Sequence, residues 1–170
     1  MRGAPEYHFA HIDDAAALSG LIIDAYRGTG PVKGWTSEAH LLGGQRIDAG
    51  TPQEILMRDD SRILQVDWDG ALCACIHLAK TSPSHVEFGL FAVHPALQGR
   101  SLGRSVMEYA ERWAKATWGA RGALLTVIDA RRDIAAWYRR MGYVFTGERR
   151  APHTARSALV SLSGRIWCLR

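Results

Sequence analysis

The chain has 170 residues and a formal net charge of +4, with 47% hydrophobic and 22% charged residues. That length and balance suit one folded domain, residues 1–170, and exclude a disordered chain, a collagen-like repeat and a coiled coil. The basic residues are 18 Arg and 3 Lys, scattered rather than gathered into a tail. The surplus favours anionic partners without choosing between a nucleic acid and a phosphorylated small molecule.

The opening MRGAPEYHFAHIDD has no apolar run before its acidic residues, so no export signal is expected. Apolar stretches fall far short of the roughly 20 residues of a membrane span, and no membrane partner is expected. Three cysteines, Cys73, Cys75 and Cys168, cannot all pair within one chain; reduced thiols and a cytoplasmic location are the expectation.

Residues 7–12 read as a first strand. Asp13 is placed to cap a helix through DDAAALSGLIIDAY, where Ala17, Leu21 and Ala25 share a face flanked by Leu18 and Ile22. Gly28, Gly30 and Pro31 stop it, and GTGPVKGWT reads as a substrate-loop-like connection. A short helix from Thr36 through Leu42 follows, closed by Gly43 and Gly44. In TPQE, Thr51 as N-cap, Pro52 at the first helical position and Glu54 three residues after the cap form a capping box.

SRILQV and ALCACIHLA flank Asp69-Gly70 and predict a hairpin with a tight turn. TSPS turns the chain again into HVEFGLFAV, which ends at His94-Pro95. From Ser101 to Trp118 the apolar period changes to 3.6, with Leu102, Val106, Ala110, Trp113 and Thr117 on one stripe widened by Met107 and Ala114. GALLTVI is a compact strand, and the segment to Met141 a helix closed by Gly142. Tyr143 to Thr146 and RIWCL read as closing strands, while ARSALVSL fits helix, strand or loop. The order predicts a mixed sheet with helices on both faces.

Two segments carry chemistry. In VHPALQGRSLGRSVM a strand runs through a glycine-containing turn into an amphipathic helix. Unpaired N–H groups at the helix start, glycines that let the backbone approach, and Arg100 and Arg104 nearby suit a pyrophosphate. The spacing is neither GxGxxG nor GxxxxGK[ST]. In RRDIAAWYRRMGY, helical geometry places Ile134, Trp137 and Tyr138 on one side and turns Arg139 and Arg140 to solvent.

Glu87 is the acidic residue in the apolar strand leading to that turn. Strand parity puts it on one face with Gly89, Phe91 and Val93, barring a bulge. A carboxylate there can take a proton from an incoming ammonium, and burial beside aromatic residues would raise its pKa into a useful range. Tyr26, His77, His85 and His94 are weaker candidates for that base. Cys73, Cys75 and His77 share a strand face, but three ligands on one strand fan apart, so no metal site is expected. Arg131, Arg132, Arg139, Arg140, Arg149 and Arg150 would form a basic rim, yet no nucleic-acid-binding motif accompanies them.

Gln98-Gly99-Arg100-Ser101-Leu102-Gly103 resembles the acetyl-CoA signature [RQ]-x-x-G-x-[GA] of the GNAT superfamily of N-acyltransferases. Ser101 replaces the usual glycine and is expected to keep a backbone angle ordinary for a residue with a Cβ. Trp137-Tyr138 with Gly142-Tyr143 is similar to the superfamily's [FW]-Y-x-x-x-G-[FY] element, and Glu87 to Val93 to its E-x-x-x-x-A-[VI] strand.

The resemblance implies an α/β fold with a mixed, mostly antiparallel sheet of six to seven strands, about four helices, and a splayed central strand pair at the cofactor site. It implies acetyl-CoA as co-substrate, held by Phe91, Ala92, Val93, Gln98, Gly99, Arg100, Ser101, Leu102, Gly103 and Arg104. Arg131 stands where many relatives have Asn, and it is expected to join them. Tyr138 would be the general acid toward the departing thiolate, Glu87 the general base, and the N–H of Val93 an oxyanion donor. Trp35 and Glu38, with His40 near them, are the expected acceptor-binding residues. The acceptor expected is a small-molecule primary amine, with a peptide or protein amine second. Two readings outside the enzyme class stand beside these: a non-catalytic CoA-binding module and a nucleic-acid-binding module. A homodimer through the terminal strands is compatible with the pattern.

Overall fold

A computed structural model describes residues 3–27, 51–150 and 159–165. The predicted loop after Arg27, the helix from Thr36, and Trp35, Glu38 and His40 lie outside the described residues. Seven strands form one sheet: β1 (Glu6–Phe9), β2 (Ser61–Trp68), β3 (Ala71–Ser82), β4 (His85–Val93), β5 (Gly122–Ile128), β6 (Val144–Arg150) and β7 (Leu159–Arg165). Their spatial order is β1-β2-β3-β4-β5-β7-β6. Every neighbouring pair is antiparallel except β4 and β5, which run parallel. The helices are α1 (Ala15–Arg27), α2 (Thr51–Leu56), α3 (Leu102–Trp118) and α4 (Arg132–Arg140).

The apolar spacing in the helices determines which side of the sheet each covers. In α1, Leu18, Leu21, Ile22 and Ala25 are buried against Ile63, Cys75 and Ala92. In α3, Leu102, Val106, Met107, Ala110 and Ala114 are buried in a larger cluster with Leu64, Ile76, Leu78, Val86 and Phe88. Ala135 and Tyr138 of α4 join that second cluster. The sheet is therefore covered on both faces, α1 on one and α3 with α4 on the other.

Local chemistry accounts for most boundaries. Asp69 and Gly70 both take positive φ, 54° and 76°, as a tight hairpin turn between twisted strands requires. α3 ends at Gly119, where the N–H of Ala120 bonds back to the carbonyl of Ala114 in a left-handed cap. Two caps differ from expectation. A 3-10 turn over Ile12–Asp14 precedes α1, and the carboxylate of Asp14, rather than Asp13, accepts from the His11 N–H at 2.8 Å. In α2, Thr51 is already a helical residue rather than the residue ahead of the helix.

The tail also differs. The ambiguous ARSALVSL contributes the start of β7, which inserts between β5 and β6; of RIWCL, Arg165 belongs to the described part of β7 and the rest lies outside the described residues. A strand flanked on both sides draws its specification from its partners more than from its own alternation.

Two bulges overturn the simple parity of the sequence. β3 carries an extra residue opposite the Val66/Asp67 step, so Cys73 packs in the α3-side cluster while Cys75 packs under α1. The two cysteines and His77 thus do not share a face. In β4, Leu90 takes φ 42° and the register with β3 slips between Cys75 and His77. Val86 and Phe88 face α3, as do Phe91 and Val93, whereas Leu90 and Ala92 face α1. Glu87 and Gly89 therefore lie on the α1 face, opposite to Phe91 and Val93.

Candidate active site

β4 and β5 pair only from His85/Gly122 to Phe88/Leu125. Past that point they part, and the β4 bulge falls at the divergence. A cavity of about 280 Å³ opens there, walled by Phe91 and Val93 of β4, Thr126, Val127 and Ile128 of β5, and Ile134, Trp137 and Tyr138 of α4. Gln98, Gly99, Ser101, Gly103 and Arg104 close one end, and Tyr26 and Arg131 complete the lining. The structure thus gathers Phe91, Val93, Gln98, Gly99, Ser101, Gly103, Arg104, Arg131 and Tyr138 around one space.

Other expected residues stand apart from the cavity wall. Ala92 is buried under α1, and Leu102 is buried beneath α3. Arg100 is exposed on the turn. Glu87, half-buried, lies on the α1 face of the sheet and is not among the residues that line the cavity.

The strand edge facing the cavity has a defined polarity. The His94 N–H bonds to Cys73 on β3 at 2.8 Å. Backbone groups alternate along a strand, so those of Phe91 and Val93 turn to the opposite edge, where β5 has withdrawn. The carbonyls on that edge are engaged by side chains. The Tyr26 hydroxyl donates to the Phe91 oxygen at 2.7 Å, and Gln98 Nε2 donates to the Val93 oxygen at 3.0 Å. Gln98 therefore staples the turn, and the edge presents its N–H side to the gap.

The turn into α3 holds Gly99 at φ 77° and Ser101 at φ 64°, ψ −1°. Ser101 thus adopts the left-handed region, against the expectation of an ordinary angle. The chain must reverse here to start the helix, and closure of the turn overrides the preference of a residue with a Cβ. The first N–H groups of α3 have no acceptor within the helix. Gly103 and Arg104, in that first turn, both line the cavity. A donor-rich helix start, an arginine and side chains small enough for close backbone approach fit the diphosphate of a CoA nucleotide, while the apolar gap fits its pantetheine arm.

Arg131 is 6% exposed, and its guanidinium makes paired bonds to Asp133 at 3.0 and 2.9 Å. Those bonds hold the Asp133 carboxyl below the usual carboxylate range. Arg131 is a braced wall residue, which removes it from the basic rim read in the sequence. Tyr138 is 7% exposed and packs edge-on against Trp137 and Tyr143, with ring centroids at 4.9 and 5.7 Å. Behind it, the Tyr143 hydroxyl donates to Glu111 at 2.7 Å. Burial pushes both groups toward their neutral forms, raising the phenol and the carboxyl. Burial likewise lifts the Cys75 thiol to about 12 and the Cys73 thiol to about 11, so both are protonated at neutral pH.

Tyr26 is the residue that sequence reading undervalued. Read as a weak candidate base, it instead clamps the β4 bulge. Its only sequence signal was an aromatic residue ending the first helix just before a glycine-rich segment.

A family model described as "Acetyltransferase (GNAT) family" matches residues 24–143. Among solved structures, an N-acetyltransferase from Staphylococcus aureus Mu50 superposes with a TM-score of 0.77 at 12% identity, covering 96% of this chain and 99% of that one. The PaiA N-acetyltransferase of Thermoplasma acidophilum, in complex with coenzyme A, gives 0.75 at 15% identity, with 96% and 99% covered. The ribosomal-protein-S18-alanine N-acetyltransferase of Escherichia coli gives 0.74 at 16% identity, with 98% and 97% covered. No curated protein sequence matches significantly.

Proposed function

Because the chain belongs to the GNAT acetyltransferase family, we propose that it acetylates the primary amine of a small molecule, with Glu87 as general base and Tyr138 as general acid. Acetyl-CoA is the co-substrate, and the whole chain, residues 1–170, acts in this reading as one N-acetyltransferase domain. The observation that carries the proposal is the cavity at the β4/β5 divergence, which joins the α3 start to Tyr138.

Bound acetyl-CoA supplies an acetyl thioester. The N–H groups at the start of α3, with Arg104 and the exposed Arg100, hold the diphosphate; Phe91, Trp137 and Ile134 exclude water around the arm. The Val93 N–H, turned to the open edge of β4, donates to oxygen as negative charge develops on it. Glu87, on the α1 face, receives a proton from the ammonium before attack. Tyr138 passes its phenol proton to the departing sulfur. Direct attack needs no residue to carry the acetyl group, in keeping with two cysteines held as protonated thiols.

The test is thiol release from acetyl-CoA across amino acids, polyamines, aminoglycosides, arylalkylamines and short peptides. Turnover on a free small amine, with Tyr138→Phe lowering kcat about 100-fold at an unchanged KM for acetyl-CoA, is the expected result. Turnover confined to peptides would move the acceptor to the peptide class. Unchanged kcat in Tyr138→Phe would remove its role as acid.

A further inference from the structure

His77 lies on the α1 face of β3, directly opposite Gly89 of β4 and two register pairs from Ala79/Glu87. Its ring has two distinguishable ends. Nε2 lies 3.2 Å from the Ser61 hydroxyl, and that hydroxyl donates its hydrogen to Asp60 at 3.3 Å. Asp60 is in turn paired with Arg58 at 3.0 Å, which keeps it an anion and an acceptor. A serine hydroxyl has one hydrogen to give. When it goes to Asp60, Ser61 accepts from the imidazole, and in that arrangement Nε2 carries the proton and Nδ1 the lone pair.

Nδ1 faces Gly89. A Cβ at that position would stand 3.5 Å from it, so the missing side chain leaves the nitrogen looking over the β4 backbone. Gly89 is also the first residue of β4 beyond its last pair with β5. Among the described residues Nδ1 therefore looks over the β4 backbone where its pairing with β5 ends, on the same face as Glu87.

We propose that His77 is a substrate-binding residue, whose Nδ1 accepts a hydrogen bond from the acceptor ammonium and steers it past Gly89 toward the reacting centre. The inference rests on the acetyltransferase reading above and adds to it a second, uncharged acceptor beside Glu87. Charge state supports it. Burial and the Arg58 cation, opposed by Asp60, lower the His77 pKa to about 4, so the ring is neutral at neutral pH and does not repel a cation. A primary ammonium has three donors. Glu87 removes one proton, which leaves the nitrogen a lone pair for attack and two N–H groups, one of them bonded to His77 Nδ1; a tertiary amine has no N–H left for that bond.

The test uses the full chain with CoA bound, with butylamine as the probe. A two-bond nitrogen–proton NMR spectrum of the histidines should show His77 protonated at Nε2 and bare at Nδ1; the opposite tautomer overturns the proposal. In steady-state turnover of butylamine at saturating acetyl-CoA, His77→Gln keeps a donor toward Ser61 and loses the Nδ1 acceptor. It should lower kcat/KM for the amine about tenfold while KM for acetyl-CoA is unchanged. His77→Asn, which places an oxygen near the Nδ1 position, should recover most of that loss. Equal loss in both variants, or no loss in His77→Gln, refutes the role of His77 while Tyr138→Phe still judges the enzyme reading. Absence of acetyl-CoA-dependent turnover on every amine would overturn both.

Discussion

Replacing Ser101 by glycine should stabilise this protein. Ser101 sits at φ 64° and ψ −1°, just ahead of α3, and makes no side-chain cap bond to the helix. A residue with a Cβ in that conformation costs roughly 1–2 kcal/mol relative to one without. Glycine removes that strain and forfeits no cap, but it frees the unfolded chain at a cost of about 0.4–1 kcal/mol. The balance is about 0.5–1 kcal/mol in favour of glycine, a rise of about 1–4 °C in Tm at this chain length. Ser101→Val is the opposing control, because a β-branched side chain tolerates the left-handed region poorly. Thermal and urea unfolding measure the stability, and calorimetric titration with CoA measures the site. Ser101→Gly should keep CoA affinity within about threefold, less than 1 kcal/mol. Ser101→Val should weaken both. A Tm for Ser101→Gly below that of the parent would refute the left-handed turn and, with it, the geometry assigned to the diphosphate site.

Three further outcomes test other parts of the site. Gly103→Ala places a methyl 3.5 Å from Phe91, 3.7 Å from Trp137 and 3.8 Å from Val93, ordinary contacts inside the cavity wall. Stability should rise by roughly 0.5–1 kcal/mol from helix propensity, while titration shows weaker CoA binding. Glu87→Gln should lower kcat by about 100-fold or more with little change in melting temperature, measured by thiol release alongside thermal unfolding. The third concerns acid. With the folded-state pKa of His77 lowered to about 4 against an ordinary 6.5, the unfolded chain binds the extra proton first. Its contribution is therefore present above pH 6.5 and is lost as pH falls toward 4, by up to about 3 kcal/mol. Urea unfolding from pH 7 to 4 should show a shallower acid slope for His77→Gln than for the parent.

Local chemistry made much of the fold legible in advance. The Asp69-Gly70 hairpin, the 3.6-residue stripe of α3 and the apolar β5 each depend on interactions within a few residues, and each stands where periodicity and turn chemistry put it. The motif from Gln98 to Gly103 and the Trp137-Tyr138 pair likewise mark the two sides of the cavity, because backbone donors at a helix start and an aromatic helix face are local features. What sequence missed depends on partners far along the chain. The clamp of Tyr26 on Phe91 joins residues 65 apart, and β7 owes its place to pairing with both β5 and β6.

The sequence alone marked most of the described helices and strands and singled out the glycine-containing turn into α3, since both follow from spacing and from the few residues that tolerate each turn. Tertiary structure decided which face each side chain meets. A single left-handed residue, Leu90, reverses the alternation of β4, sending Glu87 to the α1 side and Phe91 and Val93 to the cavity. One such residue moves every later side chain across the sheet, and its position is set by the packing of α1 and β3 against the strand rather than by the residues of the strand itself.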